Sequence, residues 1–432
     1  MRILFLSHYF PPEVNAPANR TFEHCRAWAA AGHDVHVVTC VPSHPVGRPY
    51  PGYRRGWYSR EQIDGVHVHR VWTYLAPNQG VAKRTLNYLS FVPTAVFRSW
   101  RLGRFDVIVG TSPQFFCAMA ACLGAALRRT PFVFELRDLW PESIPAVGAM
   151  QPSWALRFLE RLELWMYRRA TAVVCVTKAF AQNLQRRGIE AKKLHYIPNG
   201  IDPGFWERGS RDGGRARLGV LPDEIAVAYI GTIGMAHGLG TVLDAARLLG
   251  SERRLRFFIV GDGAELNALR ERVAASGPSN VTFTGLLPRD AIASVMAAAD
   301  VALVTLKPAE TFKTVLPSKM LEAMAARRPI VLAVDGEAKA ILTQAGGGLA
   351  VTPGDPDALA SAISTLAGDA GLRARLGASG AEYASREFSR AVWAERYLRL
   401  LGTLQVAPLP PVALAPPAPA AASPQWPSNP PR

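Results

Sequence analysis

Short apolar runs alternate with amphipathic, helix-like stretches along most of the chain. That is the pattern of parallel sheets whose strands are buried on both faces and joined by helices. In the first half the runs predict strands at Ile3 to Ser7, Asp34 to Cys40, Val66 to Val71, Val107 to Thr111, Phe132 to Leu136, Ala172 to Val176 and Leu194 to Ile197. A second series restarts at Ile225 to Gly231 and continues with Arg256 to Val260, Val281 to Thr284, Val301 to Val304, Ile330 to Ala333 and Gly348 to Val351. The prediction is an α/β protein of two consecutive Rossmann-like units, with domains at 1–203 and 220–385. The stretch from Asp202 to Gly219 is rich in Gly, Arg and Asp without periodicity, so residues 204–219 read as the linker.

A chain of 432 residues is long enough for two or three separately cored domains. Its five cysteines (Cys25, Cys40, Cys117, Cys122 and Cys175) are odd in number and contain no C-x-x-C pair. Neither a disulfide framework nor a zinc site is expected, and a reducing cytosol suits them. The opening Met1-Arg-Ile-Leu-Phe-Leu-Ser7 is too short for a secretory leader, and no apolar run reaches the roughly 18 residues of a membrane span.

The net charge of +15 is unevenly spread. Residues 1–205 hold 25 Lys+Arg and 13 Asp+Glu (+12), against 24 and 21 (+3) for 206–432. A basic first half calls for an anionic partner such as phospholipid head groups, a lipid-linked pyrophosphate or nucleic acid. No nucleic-acid reading module is present, so nucleic acid is not expected. Between Gly80 and Arg104, arginines interleave with Leu86, Tyr88, Phe91, Phe97 and Trp100. This predicts either a membrane-surface helix or a pair of core-packed helices with Arg outward. The Pro/Ala-rich tail 406–432 is predicted to be disordered.

Candidate chemistry begins at Val315-Leu-Pro-Ser-Lys-Met-Leu-Glu-Ala-Met-Ala325. Pro317 suits the first position of a helix, and the turn after it keeps free N–H groups at the positive end of the helix dipole. Ser318 and Lys319 would reinforce an anion site there, and Glu322, one turn on, can accept from ribose hydroxyls. An ordinary amphipathic helix, with Leu321, Met324 and Ile330 inward, is the plain alternative. Tyr229-Ile-Gly-Thr-Ile-Gly-Met-Ala-His-Gly238 leaves a strand through glycines, yet the spacing of Gly231, Gly234 and Gly238 is not the G-x-G-x-x-G of a dinucleotide site. Phe257 to Gly263 is another strand ending in a glycine turn, and Thr282 to Pro288 could present backbone to a base. No D-x-D pair between strand and loop, clustered His and carboxylate ligands, or cysteine spacing suited to zinc points to a metal, so none is expected.

These motifs, in this order, resemble the retaining, nucleotide-sugar-dependent glycosyltransferases of the GT-B fold, particularly family 4. The telling pieces are Ile197-Pro-Asn-Gly-Ile-Asp202, Val260-Gly-Asp-Gly263, Val281-Thr-Phe-Thr-Gly285, Ala299-Asp-Val301 and Pro317-Ser-Lys-Met-Leu-Glu-Ala-Met324. Tyr9 to Arg20 and Phe134 to Ser143 look like the branch containing fucosamine transferases of bacterial O-antigen and capsule assembly. The resemblance covers the chain to about residue 400. It implies two facing domains with an interdomain cleft, an acceptor-binding first domain, and a helix at 386–405 packing back on it.

The resemblance implies a donor site at Gly231, Gly234, His237, Gly261, Gly285, Leu287, Lys307, Pro317, Ser318, Lys319 and Glu322. Asn15, Arg20 and Arg137 would lie on the acceptor side of the cleft. Catalytic roles fall to Asp138 and Glu135, which could orient the acceptor hydroxyl, and to Lys319 at the leaving diphosphate. Helix capping by Asp138 and an ion pair of Glu135 with Arg137 are their structural alternatives. The sequence departs from the family pattern at Thr314, where an acidic sugar contact is usual, and at Thr232 and His237, where Arg and Lys usually grip the diphosphate. Lys319 is the strongest replacement, with Lys307 and Arg20 as further candidates or as solvated surface residues. The implied activity is transfer of a sugar, an amino sugar from a UDP donor, to a lipid-linked saccharide by a cytoplasmic protein at the inner, anionic membrane surface. The nucleotide sugar is a co-substrate and no cofactor is implied. A GT-B-fold sugar-nucleotide epimerase and a degenerate scaffold subunit are the alternatives.

Overall fold

A computed structural model of the chain describes residues 1–77, 81–139 and 154–404. The Pro/Ala-rich tail, Gly80 and the Trp140 to Ser143 motif lie outside the described residues. Strands β1 (Arg2–Leu6), β2 (Asp34–Cys40), β3 (Tyr58–Ile63), β4 (Val66–Val71), β5 (Val107–Thr111), β6 (Phe132–Leu136), β7 (Ala172–Cys175) and β8 (Leu194–Tyr196) form one sheet in the order β3-β4-β2-β1-β5-β6-β7-β8. A second sheet takes β9 (Ile225–Ile230), β10 (Leu255–Val260), β11 (Val281–Gly285), β12 (Val301–Thr305), β13 (Ile330–Ala333) and β14 (Gly348–Ala350) in the order β11-β10-β9-β12-β13-β14. Every pairing is parallel except β3 with β4. The α/β class expected from the alternation is present.

Side chains alternate between two cores on either face of each sheet. Val35 and Val37 enter one core and Val38 and Cys40 the other; in the second sheet Val227 and Tyr229 face opposite to Ala226 and Ala228. This period-two division explains why the strands read as unbroken apolar runs. Strand β3 has no such run: Tyr58-Ser-Arg-Glu-Gln-Ile63 is a largely exposed antiparallel edge whose polar side chains guard the open hydrogen-bonding rim.

One stretch differs from expectation, and a second takes one of its two expected forms. The segment read as an aperiodic linker is folded into helices Pro203–Glu207 and Arg211–Leu218. Trp206 of the first helix enters the core of the second unit, with Phe205 and Leu218 packed against that core, and the second helix docks through glycine and arginine. A Cβ on Gly214 would lie 2.0 Å from the Ser294 carbonyl oxygen, and Arg211 and Arg215 hold the Asp300 carboxylate at 2.6 and 3.3 Å. The stretch after Gly80 is one helix, Val81–Arg101, with Pro93 inside it. Asn87, Phe91, Ala95 and Ser99 face inward, while Leu86, Leu89, Phe97 and Trp100 are exposed.

The chain crosses between the units twice. After β8 it passes through Ile197 to Asp202, and it returns at Phe388 to Arg390, where Ile201 N–H donates to the Phe388 carbonyl (2.8 Å) and Arg390 N–H to the Ile201 carbonyl (3.0 Å). The final helix, Arg390–Thr403, lies on the helix Ala16–Ala30 of the first unit. Trp28 Nε1 donates to the Ala394 carbonyl (3.0 Å), Arg390 pairs with Glu23 (2.7 Å), and Tyr397 stands edge-on to Trp28.

The docked helix Arg211–Leu218 gives a paired prediction. Gly214→Ala forces a methyl into the Ser294 backbone and should cost about 1–3 kcal/mol. Gly213→Ala meets only the Ser210 side chain, Oγ at 3.2 Å and Cβ at 3.4 Å, so the capping hydroxyl must shift by a few tenths of an ångström and the change should stay within about 1 kcal/mol of wild type. Thermal unfolding of both variants checks the contrast; a flexible linker would treat them alike.

Candidate active site

Strands β9, β10 and β11 end side by side in glycine. Gly231 N–H donates to the Val260 carbonyl (2.9 Å) and Gly261 N–H to the Gly285 carbonyl (3.0 Å). Gly231 and Gly261 have φ of 145° and 139°, and a Cβ on Gly261 would lie 2.0 Å from the Gly231 oxygen. Only glycine lets these turns touch, and the result is a bare backbone ledge at the carboxyl ends of the strands. The turn continues through Gly234, whose carbonyl accepts from His237 N–H (2.9 Å).

Lys319 points at this ledge from the first turn of the helix Ser318–Ala325. Its Nζ lies over the Tyr229 ring, 4.1 Å from the centroid, and donates to the Tyr229 hydroxyl; that hydroxyl donates to the Thr232 carbonyl (2.6 Å). A Cβ on Gly231 would stand 3.2 Å from the same Nζ. Burial pulls the Lys319 ammonium down to about 7, opposed by the nearby Glu322 carboxylate. Burial, and then the charge of Lys319, lowers His237 to about 3, so its imidazole is neutral. His237 Nδ1 is buried with no hydrogen-bond partner among the described residues. Lys307 stands beside the ledge, and its charge is met by Glu265 at 3.6 Å. Pro317 has an extended ψ of 125° and occupies the N-cap, one residue before the first-turn position expected for it.

Ser318, Glu322 and Leu287 line a cavity between the two units. The opposite wall carries Arg20, His24 and Arg137. Arg20 is neither a solvated surface residue nor a free phosphate grip. It is buried, with Nη1 donating to the Pro198 carbonyl (2.7 Å) and Asn199 Oδ1 (3.2 Å), Nη2 to the Ile197 carbonyl (2.9 Å), and Nε 3.4 Å from Glu135. Glu135 is 0% exposed and accepts from the Thr111 hydroxyl (2.9 Å), so an acceptor hydroxyl cannot reach it directly. Its ion-pair partner is Arg20, where the sequence suggested Arg137. Arg137 instead lines the cavity with buried Nε and Nη1 that have no hydrogen-bond partner among the described residues, and burial lowers it to about 10. Asp138 is half-buried beyond the end of β6, beside Arg137 and outside the cavity wall. Asn15 is drawn into capping the helix Ala16–Ala30, its Oδ1 accepting from Ala18 N–H (2.9 Å).

Thr314 closes the short turn Glu310–Thr314 through its hydroxyl, and Thr232 is exposed. Tyr229, His24 and Arg390 escaped the sequence reading. Tyr229 left one signal: a hydroxyl inside a buried strand must find a partner. The absence of grouped His and carboxylate ligands is corrected as well. Asp34, His36 and His67 come together near the amino ends of β2 and β4, away from the cavity.

Two abutting Rossmann-like units with a glycine ledge and a cationic helix start beside an interdomain cleft form the architecture of the two-domain glycosyltransferases. The Glycosyl transferase 4-like domain profile matches residues 15–200 and the Glycosyl transferases group 1 profile residues 224–369. The chain belongs to this GT-B glycosyltransferase family and is a glycosyltransferase. WcaI of Escherichia coli (strain K12), assigned as a colanic acid biosynthesis glycosyl transferase, is 26% identical over 339 residues, 75% of this chain and 81% of its own. LpsE of Rhizobium meliloti (strain 1021), a lipopolysaccharide core biosynthesis glycosyltransferase, is 27% identical over 277 residues, 62% of this chain and 77% of its own. Anabaena HepE, solved in complex with UDP, has the same fold, with a TM-score of 0.69, 19% identity and coverage of 93% of this chain and 100% of that one.

Arg20 supplies the prediction here. Arg20→Ala leaves the Glu135 charge buried without its partner and should destabilise the protein by about 3–5 kcal/mol in urea unfolding. Adding Glu135→Gln should recover part of that loss, whereas simple additivity would show that the pair is not coupled.

Proposed function

We propose that the protein is a retaining glycosyltransferase that moves an amino sugar from a UDP donor to a lipid-linked saccharide in bacterial surface-polysaccharide assembly. The observation carrying this reading is Lys319 poised beside the glycine ledge in the first turn of the helix whose Ser318 and Glu322 line the cavity across from Arg137. As the bond from the anomeric carbon to the phosphate oxygen breaks, charge grows on the diphosphate, and Lys319 with the amides of Ser318 and Lys319 would stabilise it. The acceptor oxygen would bond to the same face of that carbon, its proton passing to the departing phosphate oxygen. Glu322 would hold the ribose hydroxyls. Arg137, with two donors unpartnered among the described residues on the far wall, is suited to an acceptor and favours a transferase over an epimerase, which needs none. Asp138 would act on the acceptor hydroxyl only after moving toward the cavity. The assigned roles of WcaI and LpsE support the pathway class.

The acceptor's lipid implies a membrane face. Three helices, Val81–Arg101, Phe115–Arg128 and Trp154–Arg169, cover one side of the first sheet and turn apolar side chains outward. Phe97 (58% exposed), Leu127 (61%), Trp154 (78%) and Phe158 (59%) stand among exposed Arg84, Arg101, Arg157, Arg161 and Arg168. Aromatic side chains among arginines match the interface of an anionic bilayer, so the protein would sit peripherally at the inner membrane surface. Among the described residues no helix is long and apolar enough to cross a membrane.

Lys319→Ala should lower turnover at least tenfold, about 1.4 kcal/mol of transition-state stabilisation, while Glu322→Gln chiefly weakens UDP binding. Near-wild-type activity in both would remove this site from the reaction. Because Lys319 titrates near 7 when free, and a bound diphosphate raises its pKa, UDP affinity should weaken about tenfold per unit as pH rises from 7 to 9. Calorimetry should find that slope absent in Lys319→Ala. With side chains and amides neutralising the diphosphate, EDTA should leave turnover unchanged.

On the membrane side, Phe97→Ser with Trp154→Ser should release the protein from anionic vesicles at constant charge. Raised salt should weaken wild-type binding, since exposed charges are screened over about 10 Å at 0.1 M. Flotation of the variant with the vesicles would show that this face is not the contact.

A further inference from the structure

We infer that Asp34, His36 and His67 form a divalent transition-metal site, best suited to Zn²⁺, at the end of the first sheet opposite the cleft. Strands β2 and β4 run parallel with His36 directly opposite His67, so both imidazoles and the Asp34 side chain share one face. Asp34 Oδ1 lies 2.9 Å from His36 Nε2 and 3.7 Å from His67 Nε2. A tetrahedral zinc with bonds of about 2.1 Å separates its ligands by about 3.4 Å, between those two values. An N₂O donor set of two imidazoles and one carboxylate suits zinc better than magnesium or calcium.

The surroundings orient these ligands. Arg2 Nε holds the other carboxylate oxygen of Asp34 at 3.0 Å, leaving Oδ1 to face the imidazoles. His36 Nδ1 is 2.9 Å from His69 Nε2, and His69 Nδ1 is 3.0 Å from the Tyr58 hydroxyl, a relay that can fix the His36 tautomer with Nε2 toward the metal. Phe105 packs edge-on against the His36 ring. His36 is buried, whereas Asp34 and His67 reach solvent, so an ion can enter and a water can complete its shell. Arg60, 3.3 Å from His67 Nδ1, has to swing outward on binding, and its exposure allows this. The metal would join β2 to β4 beside the polar edge strand β3, a structural role separate from sugar transfer.

The test is titration of the full-length, chelator-treated protein with Zn²⁺ by calorimetry and with Co²⁺ by visible absorption. Wild type should bind one equivalent with the intense bands of tetrahedral Co²⁺, and Zn²⁺ should raise its melting temperature. His67→Gln and Asp34→Asn both alter solvent-accessible side chains, and each should weaken binding at least tenfold and cancel the thermal shift. His195→Gln, on β8 outside the cluster, should bind as wild type does. No binding by wild type, or binding unchanged in both ligand variants, would overturn the site.

Discussion

The buried guanidinium of Arg20 is the constraint on which the arrangement of the cleft depends. It leaves the first helix of the chain and fastens the carbonyls of Ile197 and Pro198 and the side chain of Asn199, the segment where the chain leaves the first unit. Glu135 compensates its charge from the middle of the sheet. Two hydrogen-bonding Nη groups and one ion pair of a planar cation thereby fix the first helix, β6 and the crossover relative to one another. With both Nη groups of Arg20 committed, the neighbouring Arg137 has two donors, Nε and Nη1, without a hydrogen-bond partner among the described residues.

Behind the opposing wall a related logic applies to a different cation. Lys319 is held over an aromatic ring and against its hydroxyl, without a carboxylate in direct contact among the described residues, and burial of this poorly compensated ammonium lowers its pKa. Such a group gains from an arriving diphosphate, because the ligand supplies the missing countercharge. The family's usual arginine and lysine are absent at Thr232 and His237, and a neutral His237 beside Lys319 adds no competing positive charge.

The return of the chain explains how the walls are held to face each other. Ile201 bonds through its backbone to Phe388 and Arg390 at the crossing, Arg390 pairs with Glu23, and Tyr397 enters the core of the first unit beside Trp28. Arg390 also borders the cavity, so the crossing that sets the spacing of the units contributes to the wall.

The α/β class, the strand runs and the transferase family were legible in the sequence, because strands buried on both faces must be apolar and glycine turns at strand ends leave local signatures. The polar edge strand β3 and the helix docked through Gly214 and Asp300 were not, since neither relies on an apolar stripe. The sequence could also place Lys319 at a helix start and mark Glu135, Arg137 and Arg20 as charged residues near motifs. It could not say which charge would meet which. Arg20 and Glu135 are joined across 115 positions, Tyr229 and Lys319 across 90, and His36 meets His67 through strand register alone. Burial, pairing and the resulting pKa values belong to such long-range contacts, so only the tertiary structure decided which cations are spent on the fold and which remain for a ligand.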